Sequence, residues 1–205
     1  MTATKILDQT NLDKPAKAPR AADRILRAAR DLFYKKGIRA IGVDEVVRQA
    51  GVTKPSLYRS FASKDDLTAA YLTKYDLEFW QRFELSVAAH PGNPRAQVLH
   101  YMTRLEQRAS NPGYRGCGMT NACVEYPESK HPARAVSEAN KRELRRRFRQ
   151  MADEMGARDP EALGDGLLLL FEGMLISSQI FGPDGPASAA ARNAELLIDA
   201  SLAKA

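Results

Sequence analysis

Basic, hydroxyl-bearing and aromatic side chains are concentrated between residues 53 and 64, and they carry the clearest chemistry in this sequence. Lysine is a compact charge suited to phosphate, whereas the planar guanidinium of arginine matches the paired acceptors of guanine. Serine, threonine and tyrosine hydroxyls can add contacts to phosphate oxygens. The stretch therefore indicates a nucleic-acid contact surface, with candidate residues Lys54, Pro55, Ser56, Tyr58 and Arg59.

The distribution of charge along the chain supports this interpretation. The net charge is +6 over 205 residues, but residues 1–64 hold 14 Lys/Arg against 6 Asp/Glu, while residues 65–205 hold 17 against 19. Phosphate contacts require basic side chains on the module that touches the nucleic acid. The distribution therefore favours a basic N-terminal module attached to a near-neutral body.

The pattern around the basic residues predicts a helix-turn-helix. Gly51 stands where the chain must leave one helix through a left-handed conformation, which glycine adopts without steric cost. Thr53 is expected to cap the next helix with its hydroxyl, and Pro55 falls in the first turn, where a missing N–H costs nothing. Leu57 and Phe61, four residues apart, anchor that helix and leave its polar side chains free to enter a major groove.

The remaining sequence also has helical periodicity and no strand-like alternation, so the expected fold class is all-α. Ser63 with Asp66 resembles a capping box and predicts a fourth helix of about twenty residues. Prolines and glycines then separate five further helical segments. The first is expected at about 94–110; a short segment then ends at about 126, and a long charged helix ends at about 155. The last two are expected at 160–181 and 186–204. The predicted segments are a flexible arm at 1–19, a three-helix DNA-binding domain at 20–67 and a helical domain at 68–205.

At these residues the sequence resembles the tetracycline-repressor (TetR) family of bacterial transcriptional regulators. The resemblance covers about residues 24–67, and the positions that carry it are Ile25, Ala28, Ala29, Leu32, Phe33, Gly37, Ala50–Thr53, Leu57, Tyr58, Phe61 and Ser63–Leu67. Gly42 stands where many members have Ser or Thr, and Pro55 where many have Gly. Because both changes could alter base preference, no operator sequence is carried over from another member.

The resemblance implies a homodimer that binds a double-stranded DNA operator and is released by a small-molecule effector; repression is expected, and activation is the alternative. Two cysteines in a chain of this size do not indicate a disulfide framework, so a cytoplasmic location is expected. It also implies that the third helix contacts DNA, that Tyr58 touches a phosphate, and that Lys64 pairs with a phosphate. A solvated surface lysine is the alternative interpretation of Lys64. For Arg59, contact with a base and contact with a phosphate both remain open.

In this family the C-terminal part holds a ligand cavity and the dimer interface. Segment 160–181 is apolar nearly all round, and the last helix adds further leucines, so both need cover on most faces. We expect them to form a four-helix bundle with a second copy; a purely internal core is the alternative.

Five residues of the C-terminal domain are candidates for effector binding: Cys117, Asn121, Glu125, Phe171 and Glu172. The first three would share one stripe of a helix. They either line a cavity or brace a helix start that follows two glycines. Glu172 interrupts a leucine-rich run, and a buried carboxylate is costly unless paired. It either forms a salt bridge with an arginine of segment 141–149 or reads a polar group of the ligand.

Other functional classes find little support in the sequence. An enzyme is not expected, because no Gly-rich phosphate loop, nucleophile elbow or HExxH motif is present, and no cofactor or metal is expected either. On a helix, Cys117 and Cys123 would differ by a rise of about 9 Å, beyond disulfide reach. No run approaches the roughly 18 apolar residues of a membrane span. The charged run 141–149 is interpreted as a solvated amphipathic helix rather than a second nucleic-acid surface.

Overall fold

The computed structural model describes residues 20–203, and within that range every regular element is a helix. The predicted all-α class is confirmed, while the predicted arm at 1–19 lies outside the described residues. The helices are α1 (Ala21–Lys36), α2 (Val43–Ala50), α3 (Lys54–Ser60), α4 (Lys64–Ala89), α5 (Pro94–Ala109), α6 (Gly118–Glu125), α7 (Pro132–Glu154), α8 (Pro160–Phe181) and α9 (Ala190–Leu202). A 3-10 helix at Pro186–Ala189 leads into α9, where the sequence predicted one uninterrupted helix.

The first three helices pack on one another and share one hydrophobic core with the helices that follow. Helix α1 buries one apolar face, which includes Ile25, Leu32 and Phe33, and Leu57 of α3 is fully buried as well. The chain leaves α1 at Gly37, whose φ of +92° lies in the region that favours glycine. The three helices are thus held as one unit against the start of α4.

Helix α4 connects this unit to the rest of the protein. The Ser63 hydroxyl accepts the Asp66 backbone N–H at 3.0 Å, so the predicted cap is confirmed, and the Asp66 carboxylate accepts the Ser63 hydroxyl proton at 2.9 Å. With 26 residues, α4 is longer than predicted. It runs without a break across the expected domain boundary at residue 67.

The C-terminal helices pack around an aromatic cluster. Phe171 of α8 lies 6.0 Å from Tyr101, 6.2 Å from Phe79 and 6.4 Å from Phe148, measured between ring centroids. Helices α7 and α8 approach closely at Gly164, because a Cβ there would lie 2.6 Å from the Arg149 Cα. This contact fixes how α8 lies against α7.

Helix α8 also has an exposed apolar side. In the described part of the chain it is the one helix whose length and apolar composition would suffice to cross a membrane. Core helices pass the same test, and α8 packs against both α7 and α9. Large apolar side chains nevertheless remain exposed on these last helices, namely Leu169, Ile176, Ile180, Phe181 and Leu196.

Candidate DNA-binding surface and effector site

The turn between α2 and α3 has the geometry that the sequence predicts. Gly51 is left-handed, with φ +63° and ψ +41°. The Val52 N–H donates to the Val47 carbonyl at 3.1 Å and the Gly51 N–H to the Arg48 carbonyl at 3.3 Å, which together close the end of α2. This rigid turn sets the direction in which α3 leaves.

The predicted cap of α3 is wrong in one respect. Thr53 occupies the cap position and its carbonyl accepts the Leu57 N–H at 3.1 Å, but its hydroxyl accepts no hydrogen bond from the helix. A capping hydroxyl bonds the N–H of the second or third helical residue; Pro55, the second, has none, and the hydroxyl does not accept the N–H of Ser56, the third. The prediction that Pro55 lies in the first turn is confirmed.

Helix α3 has one buried face and one face open to solvent. Leu57 is fully buried, whereas Lys54, Pro55, Tyr58 and Arg59 are exposed. A leucine buried in this way contributes about 1.5–3 kcal/mol, enough to fix the rotation of so short a helix. The exposed face is therefore the one available to a groove of DNA.

The cations of this surface differ in their partners. Lys54 Nζ lies 3.0 Å from a carboxylate oxygen of Asp44 in α2, and the hydrogen bond between them raises the pKa of Lys54. Arg59 has only a 3.5 Å contact to the half-buried Ser56 hydroxyl. Its guanidinium donors are therefore largely free to bind a phosphate or a guanine edge.

Lys64 lies at the start of α4, next to the loop after α1. Its ammonium donates to the Arg39 carbonyl at 3.4 Å, and partial burial lowers its pKa. The side chain is half-buried rather than extended into solvent. Because Lys64 is the first residue of α4, it lies at the positive end of that helix's dipole, close to the surface that carries α3.

Three of the five effector candidates, Cys117, Phe171 and Glu172, lie around the side chain of Lys141. A Glu172 carboxylate oxygen lies 2.6 Å from Lys141 Nζ, and the other accepts the Thr120 hydroxyl proton at 2.8 Å. Lys141 also donates to Cys117 Sγ at 3.5 Å; burial opposes its charge, but Cys117 and Glu172 outweigh burial and raise the pKa of Lys141. The partner of Glu172 is thus the lysine of segment 141–149, not one of its arginines. Phe171, the third candidate, belongs to the aromatic core.

Asn121 and Glu125 have different partners, although they share a helix. The Asn121 amide donates to the Arg115 carbonyl at 2.8 Å, which braces the start of α6. A Glu125 carboxylate oxygen accepts the Arg39 backbone N–H at 2.8 Å, and the Glu125 carbonyl accepts the Arg39 guanidinium at 3.1 Å. The structure therefore directs Glu125 towards the loop between α1 and α2.

The segment before α6 is attached to α1 as well. The Tyr34 hydroxyl donates to the Gly116 carbonyl at 3.1 Å and accepts the Arg115 backbone N–H at 2.9 Å. Arg115 in turn donates to the Lys35 carbonyl. Residues 115–125 consequently connect the C-terminal helices to the DNA-binding unit at both ends of α6.

Two neighbouring cavities lie beside α4 and α5, at residues that the sequence analysis did not select. One, of about 230 Å³, is lined by α4 and α5 alone, and the other, of about 250 Å³, also reaches α1. They share Arg82 and Arg108. The sequence contains one indication of these cavities: His100, Arg104 and Arg108 are four residues apart, which places a histidine and two arginines on one stripe of α5.

Both cysteines are free thiols, Cys117 buried and Cys123 half-buried. Within residues 20–203, no group of three His, Cys, Asp or Glu side chains is placed to hold a metal ion.

The fold and this surface define a helix-turn-helix transcriptional regulator, and comparison with known proteins narrows the class. The family of bacterial regulatory proteins named tetR matches residues 25–71. The transcriptional regulator AcuR of Cereibacter sphaeroides is 28% identical over 178 residues, which cover 82% of this chain and 81% of AcuR.

Comparison with solved structures leads to the same family. A TetR transcriptional regulator of Streptomyces avermitilis is 33% identical, with a TM-score of 0.77 over 88% of this chain and 97% of that one. The TetR-family regulator SCO4454 of Streptomyces coelicolor is 28% identical, with a TM-score of 0.84 over 89% of this chain and 96% of that one. The chain belongs to the TetR family, whose members are transcriptional regulators rather than enzymes.

Proposed function

We propose that this TetR-family regulator is a homodimeric repressor that binds a near-palindromic operator through α3 and leaves it when a small molecule binds. The single observation that carries the proposal is the exposed basic and aromatic face of α3, fixed in rotation by the buried Leu57. In a helix-turn-helix dimer, two such helices enter successive major grooves about one DNA turn apart.

We assign the contacts of this surface by their chemistry. Thr53, Lys54, Pro55 and Ser56 form the end of α3 that approaches the bases, and Lys54 exchanges Asp44 for DNA on binding. Arg59 reads a base or binds a phosphate. Tyr58 and Lys64 bind the phosphate backbone beside the groove. On this assignment residues 20–67 form the DNA-binding domain and residues from 68 onwards form the effector and dimer domain.

The dimer surface that we propose is the apolar side of α8 and α9. Four apolar side chains of α8 and Leu196 of α9 are more than half exposed, and contiguous apolar patches of this kind mark interfaces. A second copy placed on this side would complete a four-helix bundle. Sedimentation velocity at micromolar concentration should show a dimer, and a monomer alone would contradict the assignment.

Regulators that are similar to this chain favour repression over activation. NemR and BdcR of Escherichia coli, which match this chain over 96 and 55 residues, are repressors, although FasR of Mycolicibacterium smegmatis, matched over 52 residues, is an activator. In vitro transcription from the bound promoter distinguishes the two. Addition of the protein should reduce the transcript, and an increase would identify an activator.

We further propose that residues 115–125 transmit effector binding to the DNA-binding domain. Tyr34 and Arg39, which flank the end of α1, are both hydrogen-bonded to this segment. A ligand that moves α6 or α4 would therefore change the position of α3 in each subunit. That Cys117, Asn121, Glu125, Phe171 and Glu172 line the effector cavity stays a prediction; their contacts favour the alternative, that they brace the helices.

A further inference from the structure

The smaller of the two cavities, between α4 and α5, is strongly basic. Its volume is about 230 Å³, and three of the side chains that line it are Arg82, Arg104 and Arg108. Within the described residues no carboxylate lines it, although the chain holds 25 Asp and Glu residues. Leu85 and Leu105 supply an apolar part of the wall. The cavity thus combines concentrated positive charge with an apolar surface.

The arginines of this cavity are poorly compensated within the protein. Among residues 20–203, Arg104 and Arg108 have no ion-pair partner, and the carboxylate nearest to Arg82 is that of Glu78, at 3.9 Å. Glu78 is already bound by Arg30 of α1 at 2.7 Å. Burial, and then the charge of Arg108, lower the pKa of Arg82. An anion placed among these guanidinium groups would therefore relieve their mutual repulsion.

His100 lines the same cavity, and within residues 20–203 its Nδ1 is buried without a hydrogen-bond partner. Buried polar atoms are nearly always hydrogen-bonded in folded proteins. Because this nitrogen has almost no accessible surface, a bound group would complete its contacts only after the imidazole turns towards the cavity.

We propose that this cavity binds a small amphipathic organic anion, whose carboxylate or phosphate is held by Arg82, Arg104 and Arg108 and whose apolar body lies against Leu85 and Leu105. The arginine fork matches either acid group through paired hydrogen bonds. The volume is below the roughly 300–1,000 Å³ of typical ligand pockets, so the occupant is small. The site deepens, and rests on, the proposed release from DNA by a small molecule.

The neighbouring cavity supplies a path from this site to the DNA-binding domain. It shares Arg82 and Arg108 and is lined by Tyr34 and Arg30 of α1. An anion that draws Arg82 away from Glu78 changes the balance of charge at the Arg30–Glu78 pair, which joins α1 to α4. Effector binding would thereby alter how α1 lies on α4, and with it the position of α3.

The test measures binding to the full-length protein without DNA, by isothermal titration calorimetry with benzoate and phenyl phosphate. Neutral benzamide has the same ring without the charge, and sulfate at matched ionic strength has charge without the ring. Arg82→Gln and Arg108→Gln remove cavity arginines. Arg142→Gln, in an exposed part of α7 away from the cavity, is the matched control. Thermal unfolding of each variant checks that it is folded.

We expect at least one of the two aromatic anions to bind the wild-type protein and Arg142→Gln equally. Loss of a charge-assisted pair should raise Kd by about tenfold or more in Arg82→Gln and Arg108→Gln. Benzamide should bind far more weakly, and a preference for benzoate or for phenyl phosphate identifies the acid group. Equal binding of benzamide or sulfate, undiminished binding in folded cavity variants, or no binding of either aromatic anion at millimolar concentration would overturn the proposal.

A separate measurement of DNA release keeps this site distinct from the proposed function. If the anions bind in an arginine-dependent way but leave DNA affinity unchanged, the site stands and release by this ligand class fails. If another compound releases the wild-type protein and both arginine variants alike, ligand-controlled repression stands and this site is not its effector site.

Discussion

The DNA-binding unit and the C-terminal helices organise their polar side chains in opposite ways. In the unit formed by α1 to α3, the exposed cations point outwards from a helix whose rotation one buried leucine fixes. In the C-terminal part, decisive polar contacts are internal and join distant positions, such as Thr120 to Glu172, 52 residues apart. The first region exposes its polar groups to solvent, whereas the second uses them to join its helices to one another.

The largest predicted effect is that of truncating Leu57, the buried residue that anchors α3. Leu57→Ala should lower the free energy of unfolding by about 2–5 kcal/mol and abolish specific DNA binding, because a cavity replaces the contact that orients the helix. Urea unfolding and fluorescence anisotropy on operator DNA measure both effects. Leu77→Ala, at a 60% exposed leucine of α4, is the control and should change stability by less than about 0.5 kcal/mol. An operator affinity unchanged in Leu57→Ala would contradict the claim that this leucine fixes the rotation of α3.

A smaller loss of stability is expected from the internal ion pair of the C-terminal part. Glu172→Leu leaves the partly buried Lys141 without its carboxylate and should destabilise the protein by up to about 3 kcal/mol, less than the loss of a fully buried ion-pair partner. The double variant with Lys141→Met should recover most of that loss, because it removes both charges. A single variant that folds like the wild type but has lost its response to the effector would instead show that Glu172 contacts the ligand.

On the DNA-binding surface, two cations should behave differently. If Arg59 reads a base, Arg59→Ala should cost about 1–3 kcal/mol at one operator position and little elsewhere. Lys64→Ala should weaken binding to every sequence and reduce the slope of log K against log salt by about one unit. Titrations against single-base operator variants at several salt concentrations separate the two. Equal losses on every operator for both variants would show that Arg59 binds only phosphate.

The smallest predicted effect on stability is that of replacing Gly51, in the turn between α2 and α3. Gly51→Ala places a Cβ on a left-handed residue and should destabilise the protein by about 1–2 kcal/mol. Gly42→Ser is the matched control, since a Cβ there meets no atom within 4 Å and serine is favoured at a helix start. It should be neutral or stabilise by a few tenths of a kcal/mol. Equal destabilisation by both changes, measured by urea unfolding, would contradict the assigned role of Gly51.

The difference between the regions also decides what the sequence could predict. The turn at Gly51, the burial of Leu57 and the cap at Ser63 follow from residues within a few positions of one another, and the structure agrees with each. The predicted cap by the Thr53 hydroxyl is absent: Pro55 removes one of its two possible donors, and nothing in the structure explains why the Ser56 N–H is not used. Helix ends set by proline and glycine, such as Pro160–Phe181, were also predictable.

The contacts of the effector candidates were less predictable, because they depend on which helices become neighbours. Helical spacing placed Asn121 and Glu125 on one stripe, yet one braces the Arg115 carbonyl and the other reaches Arg39. Arg82 and Arg108 are 26 positions apart and meet only when α4 packs on α5. Periodicity within a single helix does not contain that information.

The central claim, that α3 is the reading helix of a dimeric regulator, is tested most directly by selecting genomic DNA fragments with the purified protein and footprinting the bound site. We predict an enriched site with two-fold symmetry, whose half-sites are about one helical turn apart. Protection should require Arg59 or Tyr58, and the Arg142→Gln control should protect the same site. Fragments bound without enrichment, or a footprint that survives replacement of both Tyr58 and Arg59 by alanine, would contradict the account.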